Sequence, residues 1–253
     1  MLMDHMKSII EAPVRFYIYA DDVKFMMVTR TKEDRDKLQR ALLDFESWSR
    51  NVGLRLSANK CFVMHLGRGN ERFHYTLEGS QLEVAPVMRD LGVLISDRLS
   101  YGEHVDSVVR RSSMVVSWIL RAFVLSSPTA YLKLFESHVV PIFLYASAVW
   151  NPSRRGDIEK LRRVQARFLR RVEFRCKLER GSLVTVDVVD RLGKADMRVL
   201  RSVIRREDFF NELFSLQATG SRRGFILRPL SNSRTKKMDQ QFAWRMSSLV
   251  NGN

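Results

Sequence analysis

Val14-Arg15-Phe16-Tyr17-Ile18-Tyr19-Ala20-Asp21-Asp22-Val23-Lys24-Phe25-Met26-Met27-Val28-Thr29 contains two β-prone apolar runs with one short polar interruption. Runs of this kind on either side of a few polar residues predict a β-hairpin, with Asp21 and Asp22 at or beside its turn. Adjacent carboxylates mounted there sit on a rigid support, and hard cations such as Mg2+ take carboxylate oxygens. An isolated Asp-Asp pair is more often a solvated turn. Here a plain turn must also account for the flanking Phe16, Tyr17, Ile18, Val23, Phe25 and Met26.

Downstream, Thr31-Lys32-Glu33-Asp34 has the form of a capping box with Thr31 as N-cap. Leu38, Ala41, Leu42, Phe45 and Trp48 follow at helical spacing, as far as Asn51-Val52-Gly53. Leu54 to Leu56 and Cys61 to Leu66 then read as short strands around Ser57 to Lys60. Phe73 to Leu77 and Gln81 to Val84 flank a turn at Glu78-Gly79-Ser80, and Val87 to Ser96 is a further strand region. After Leu99 the period becomes helical over Ser100 to Leu125, Thr129 to Val149 and Asp157 to Val172, punctuated by Pro128 and Asn151-Pro152. Ala195 to Leu216 reads as one more helix pair, and the basic tail from Ser221 is expected to be mobile. The pattern predicts an α+β fold: a mixed part over 1–96, a helical part over 97–175, and a basic helical extension and tail over 176–253.

Charge narrows the partners. Forty-three Lys and Arg oppose 28 Asp and Glu, a net charge of +15, which suits a polyanion and most often nucleic acid. Ile158, Leu161, Val164, Phe168 and Val172 form an apolar stripe, and Lys160, Arg162, Arg163, Arg167, Arg170 and Arg171 occupy much of the remaining surface of that helix. From Arg154 to Arg180 eleven basic residues face four acids, a density that suits a phosphate backbone; the alternative is an ordinary solvated face. Cys61 and Cys176 are far apart and lack zinc spacing, which favours a reducing compartment. The first twelve residues lack an apolar signal core, and the run Val139 to Trp150 is too short for a membrane span. The expectation is a soluble, intracellular protein with no membrane partner, its residence in nucleus or cytoplasm left open.

Tyr19-Ala20-Asp21-Asp22 between strands resembles the hallmark motif of reverse transcriptases. Phe16 to Val23 is similar to that segment in the polymerases of non-LTR retrotransposons. Later features keep the family's order: Leu38-Gln39, Trp48, Asn51, Leu54, Leu56 and Asn59-Lys60-Cys61, then Arg89-Asp90-Leu91-Gly92-Val93, which resembles the primer grip. Leu99, His104 and Val105 resemble the entry to the thumb. Pro141, Tyr145, Val149-Trp150-Asn151-Pro152, Leu161 and Val164-Gln165-Ala166-Arg167-Phe168 resemble the segment that follows.

The resemblance implies a partial palm sheet followed by a helical thumb, and RNA-templated DNA synthesis by two-metal nucleotidyl transfer in the complete enzyme. Its partners would be Mg2+, an RNA template, a DNA primer and deoxynucleoside triphosphates. Asp21 would be a ligand of both metals, and Asp22 its partner, a weaker ligand or one that supports the direct ligands. Tyr19 would line the site near the primer end or the nucleotide, or is a packed hairpin aromatic. Lys60 would approach the leaving triphosphate, or is a solvated loop lysine. Leu91 and Gly92 would position the primer backbone, or form a simple bulge. The family's other catalytic Asp lies on an earlier strand, and only 18 residues precede Tyr19 here. The expectation is therefore a C-terminal fragment, inactive alone, with an incomplete sheet that exposes an apolar edge or face. The alternatives are a non-catalytic nucleic-acid-binding module or a relic of a mobile element.

Overall fold

A computed structural model describes residues 6, 8–67, 70–205, 214–218 and 225–229. The chain divides into two compact units, Met1–Met88 and Arg89–Asn253.

In the first unit, β1 (Arg15–Tyr19) and β2 (Asp22–Met26) form the expected hairpin, with Tyr19 opposite Asp22. The loop is thus two residues, Ala20 and Asp21. Ala20 takes φ +53°, the left-handed value at the first loop position that fits a tight hairpin to the twist of its strands. Alternation then sorts the faces. Phe16, Ile18, Val23 and Phe25 pack with Val14, Ala41, Phe45 and Trp48, while Tyr17, Tyr19 and Met26 are 51, 65 and 45% exposed. Among the described residues each strand pairs only with the other, so the outer edges and one aromatic face are uncovered.

The packed face rests on α1 (Lys32–Asn51), which begins at Thr31 with a reciprocal capping box to Asp34, the two bonds 3.2 and 3.1 Å long. Phe45 lies edge-on to Phe25 at 5.2 Å and stacks on Trp48 at 5.7 Å. A second hydrophobic cluster, Tyr75, Leu77 and Leu82, meets Leu38 and Leu42 on the same helix. Gln39 acts there as a substitute strand: its side-chain amide donates to the Thr76 carbonyl and accepts from the Thr76 N–H, both at 2.9 Å. Buried Glu46 accepts the Glu78 N–H at 2.9 Å and pairs with Arg50. These bonds hold β4 (Thr76–Leu77) and β5 (Ser80–Gln81), which are joined by the Glu78-Gly79 turn. β3 (Phe62–Val63) pairs in parallel with β6 (Glu83–Val84). Leu54 to Leu56 is not a strand, because the Leu54 N–H closes the end of α1 on the Ser49 carbonyl at 2.8 Å.

β7 (Val87–Asp90), whose last two residues open the second unit, pairs with β8 (Val93–Ser96) around Leu91 and Gly92, both with positive φ. The helices are α2 (Gly102–Ala122), α3 (Pro128–His138), α4 (Val140–Leu144), α5 (Ser147–Trp150), α6 (Arg155–Arg175) and α7 (Val188–Ile204). The single helix expected over Thr129 to Val149 is therefore three. Pro141 has no N–H to continue a helix and sits instead in the first turn of α4, and Ala146 turns left-handed at φ +49° before α5. The expected helix pair over Ala195 to Leu216 is also corrected. One helix starts earlier, at an Asp187 cap that accepts the Val189 N–H at 2.7 Å, and β9 (Phe214–Ala218) pairs antiparallel with β10 (Phe225–Pro229). Apart from β10, the tail from Ser221 lies outside the described residues.

α2 and α6 run parallel. Lys160 near the start of α6 meets Asp106 near the start of α2 at 2.7 Å, and Arg175 at the end of α6 donates to the Phe123 carbonyl just past α2 at 3.1 Å. Between these pins Leu161, Val164, Phe168 and Val172 are buried, and Phe168 stacks on Phe135 of α3 at 4.7 Å.

Candidate metal-binding hairpin and nucleic-acid interface

The β1–β2 turn brings Tyr19, Asp21 and Asp22 together, all exposed. Period-2 alternation anchors one face of the hairpin on α1 and leaves its tip free to meet a ligand. Carboxylate oxygens on a short, anchored turn suit Mg2+, which binds one or two carboxylates and keeps several waters. Among the described residues no group of three or more His, Cys, Asp or Glu is placed to hold a metal ion. Two carboxylates alone are too few to hold two ions, so a two-ion centre would need further donors. Lys60 closes the 3-10 turn Ala58–Lys60 and is exposed.

Leu91 and Gly92 lie in the other unit, at the β7–β8 turn. Tyr145 holds this turn: its hydroxyl donates to the Leu91 carbonyl at 2.9 Å, and a Cβ on Gly92 would lie 3.2 Å from the Tyr145 ring. Glycine is required there on two grounds, φ +85° and the close aromatic. Trp150 in turn donates its indole N–H to the Tyr145 carbonyl at 2.8 Å and lies edge-on to His104 at 5.0 Å. His104 Nδ1 accepts the Leu94 N–H at 3.2 Å. The sequence motif Tyr145 to Trp150 is thus a brace behind the turn, a role that residue spacing alone does not disclose.

Burial, and then the nearby Arg89 and Arg111, push the His104 imidazole down to about 4, so it is neutral in the fold. Its unfolded value is higher, so protons bind the unfolded chain preferentially between the two. The contribution is complete above about pH 6.5 and is lost as pH falls toward 4. A stability loss of about 3 kcal/mol is expected across that window. Urea midpoints at several pH values should show it, and His104→Gln should flatten the profile.

On α6 the expected apolar stripe is buried at Leu161, Val164, Phe168 and Val172 and half-buried at Ile158, and the basic residues divide into two groups. Lys160 is tied to Asp106 and Asp157 at 2.7 and 2.9 Å, and Arg162 to Asp187 at 3.0 Å. Arg163 lies 3.7 Å from Glu159. Arg167, Arg170 and Arg171 are exposed and, with Phe174, border a shallow groove of about 500 Å³. Phe174 is 80% exposed, an aromatic beside three guanidinium groups that the sequence reading did not single out. Among the described residues no helix is long and apolar enough to cross a membrane.

Comparison with known proteins finds, among other relatives, RNA-directed DNA polymerases of mobile elements. The chain is 28% identical over 167 residues to the RNA-directed DNA polymerase from mobile element jockey of Drosophila funebris, and 24% identical over 169 residues to that of Drosophila melanogaster. Each match covers 64% of this chain and 18% of the relative. It is 23% identical over 226 residues to the Drosophila melanogaster protein described as "Probable RNA-directed DNA polymerase from transposon BS", covering 86% of this chain and 24% of that one. The chain thus spans about a fifth of the length of these relatives. No family model and no solved structure matches. The similarity ties the chain, at modest identity, to RNA-directed DNA polymerases of non-LTR retrotransposons.

Proposed function

We propose that this chain is the C-terminal palm-and-thumb part of a retrotransposon reverse transcriptase. Asp21 and Asp22 contribute to its Mg2+ centre, and the helical unit holds the RNA template and DNA primer. The observation that carries this reading is the two-residue turn with its adjacent exposed carboxylates, mounted on a capped helix, in a chain similar to such polymerases. Mg2+, when bound, supplies charge neutralisation for a deoxynucleoside triphosphate and its leaving group. Tyr19 borders that site, Lys60 approaches the triphosphate, and the braced Leu91-Gly92 turn positions the primer backbone. A second reading, a nucleic-acid-binding module without catalysis, is favoured by the lack of a third metal donor among the described residues.

Both readings take α6 as a nucleic-acid interface. Arg162, Arg163, Arg167, Arg170 and Arg171 are all exposed there; Lys160 and Arg162 are engaged in ion pairs, and Arg163 lies near Glu159. Replacing Arg167, Arg170 and Arg171 with Gln should reduce the slope of log affinity against log salt by about 2, at roughly 0.7 per phosphate of a single strand. Affinity in about 0.1 M salt should fall roughly a hundredfold, equally for all sequences. Fluorescence anisotropy at several salt concentrations measures both, and equal slopes would remove nucleic acid from this face.

A further inference from the structure

One face of α2 carries a pattern that the polymerase reading leaves unused. Arg110, Met114, Trp118 and Arg121 recur at helical spacing, and all four are exposed. With Ser113, Val115 and Ser117 they line an open groove of about 560 Å³, and no acidic residue is among its described lining. Met114 is 66% and Trp118 48% exposed. The indole is nevertheless held in place: Phe123 meets it edge-on at 5.6 Å, and the His138 ring lies 6.0 Å away. An ordered, half-exposed aromatic between two arginines is a built surface, distinct from a loosely exposed apolar side chain.

We propose that this face binds single-stranded nucleic acid, with a base stacked on Trp118 and the adjoining phosphates met by Arg110 and Arg121. Every base has a π-face, so stacking on an indole is tolerant of sequence, and it requires a base that is not already paired. Along the helix axis the Cα atoms of Arg110 and Arg121 lie about 12 Å and 4.5 Å from that of Trp118, on opposite sides. A strand running along α2 meets cation, aromatic and cation in turn. Charge opposes a second copy of the chain as occupant: a two-fold contact across this face would set arginines against arginines. The inference needs only a polyanion with stackable bases and does not depend on the polymerase role.

The test titrates the intact chain with labelled oligothymidylate and with a blunt duplex of equal length. Trp118→Ala should weaken strand binding roughly five- to a hundredfold with the salt slope unchanged, leave the duplex unaffected, and be largely rescued in Trp118→Phe. The pair Arg110→Gln and Arg121→Gln should lower the strand slope by about 1.4. Unchanged strand affinity in Trp118→Ala overturns the proposal. If the alanine variant misfolds, an unchanged slope in the arginine pair overturns it instead. Self-association seen by sedimentation and abolished by Trp118→Ala also overturns it, as evidence for a protein interface. Failure of the α6 variants to change binding, alongside loss in Trp118→Ala, removes the α6 interface and leaves this one standing.

Discussion

Asp21→Asn should abolish primer extension by a polymerase assembled from this chain and a palm-and-fingers segment of a related enzyme, by on the order of a thousandfold or more. The carboxamide keeps the shape of the turn but loses the charge that competes with water for Mg2+. Metal stabilisation of the transition state is worth several kcal/mol, and each 1.36 kcal/mol is a factor of ten. The hairpin should survive, because Asp21 is an exposed loop residue outside both strands. Unchanged circular dichroism together with lost extension therefore locates the defect in the chemistry. The 253-residue chain alone should not extend a primer on an RNA template with Mg2+ or Mn2+, because two carboxylates are too few to organise two ions. Extension by the purified chain that disappears in Asp21→Asn would refute that part of the proposal.

Phe168→Ala should destabilise the helical unit by about 3–5 kcal/mol. Phe168 has no exposed surface and stacks on Phe135 at 4.7 Å, which in turn meets Phe143 at 6.4 Å. Removing the ring loses its transfer energy and leaves a cavity between helices whose ends are fixed. Phe174→Ala on the same helix is the control. That ring is 80% exposed, and its loss should stay within about 0.5 kcal/mol. Urea denaturation followed by helical circular dichroism compares the two. Similar midpoints would mean that Phe168 does not organise this core.

The contrast between these two phenylalanines marks what the sequence makes legible. Alternation over Val14 to Thr29 gives the hairpin and its faces, because a period of two is local chemistry. Thr31 and Asp34 declare the start of α1 for the same reason, and Leu161, Val164, Phe168 and Val172 give the buried stripe of α6. Other features are decided by partners distant in the chain. Lys160 and Arg162 resemble their exposed neighbours until Asp106, 54 residues away, and Asp187, 25 residues away, fold against them. Met114 and Trp118 have core composition and lie on the surface, which only burial distinguishes. The break in the helix expected over Thr129 to Val149 is obscured because apolar residues run through Pro141 and Ala146 without interruption.

The two pins between α2 and α6 have a consequence for length. Lys160 on Asp106 and Arg175 on the Phe123 carbonyl fix the pair at both ends, so neither helix can slip along the other by a turn without breaking both. Each helix has 21 residues, about 31 Å of rigid rod. If the proposed interface runs along it, such a rod is a gauge: a duplex laid parallel to it spans about nine base pairs, at roughly 3.4 Å of axis each. On that proposal the protein sets the footprint, and lengthening the nucleic acid beyond that span should add sites for binding without adding strength to any one of them.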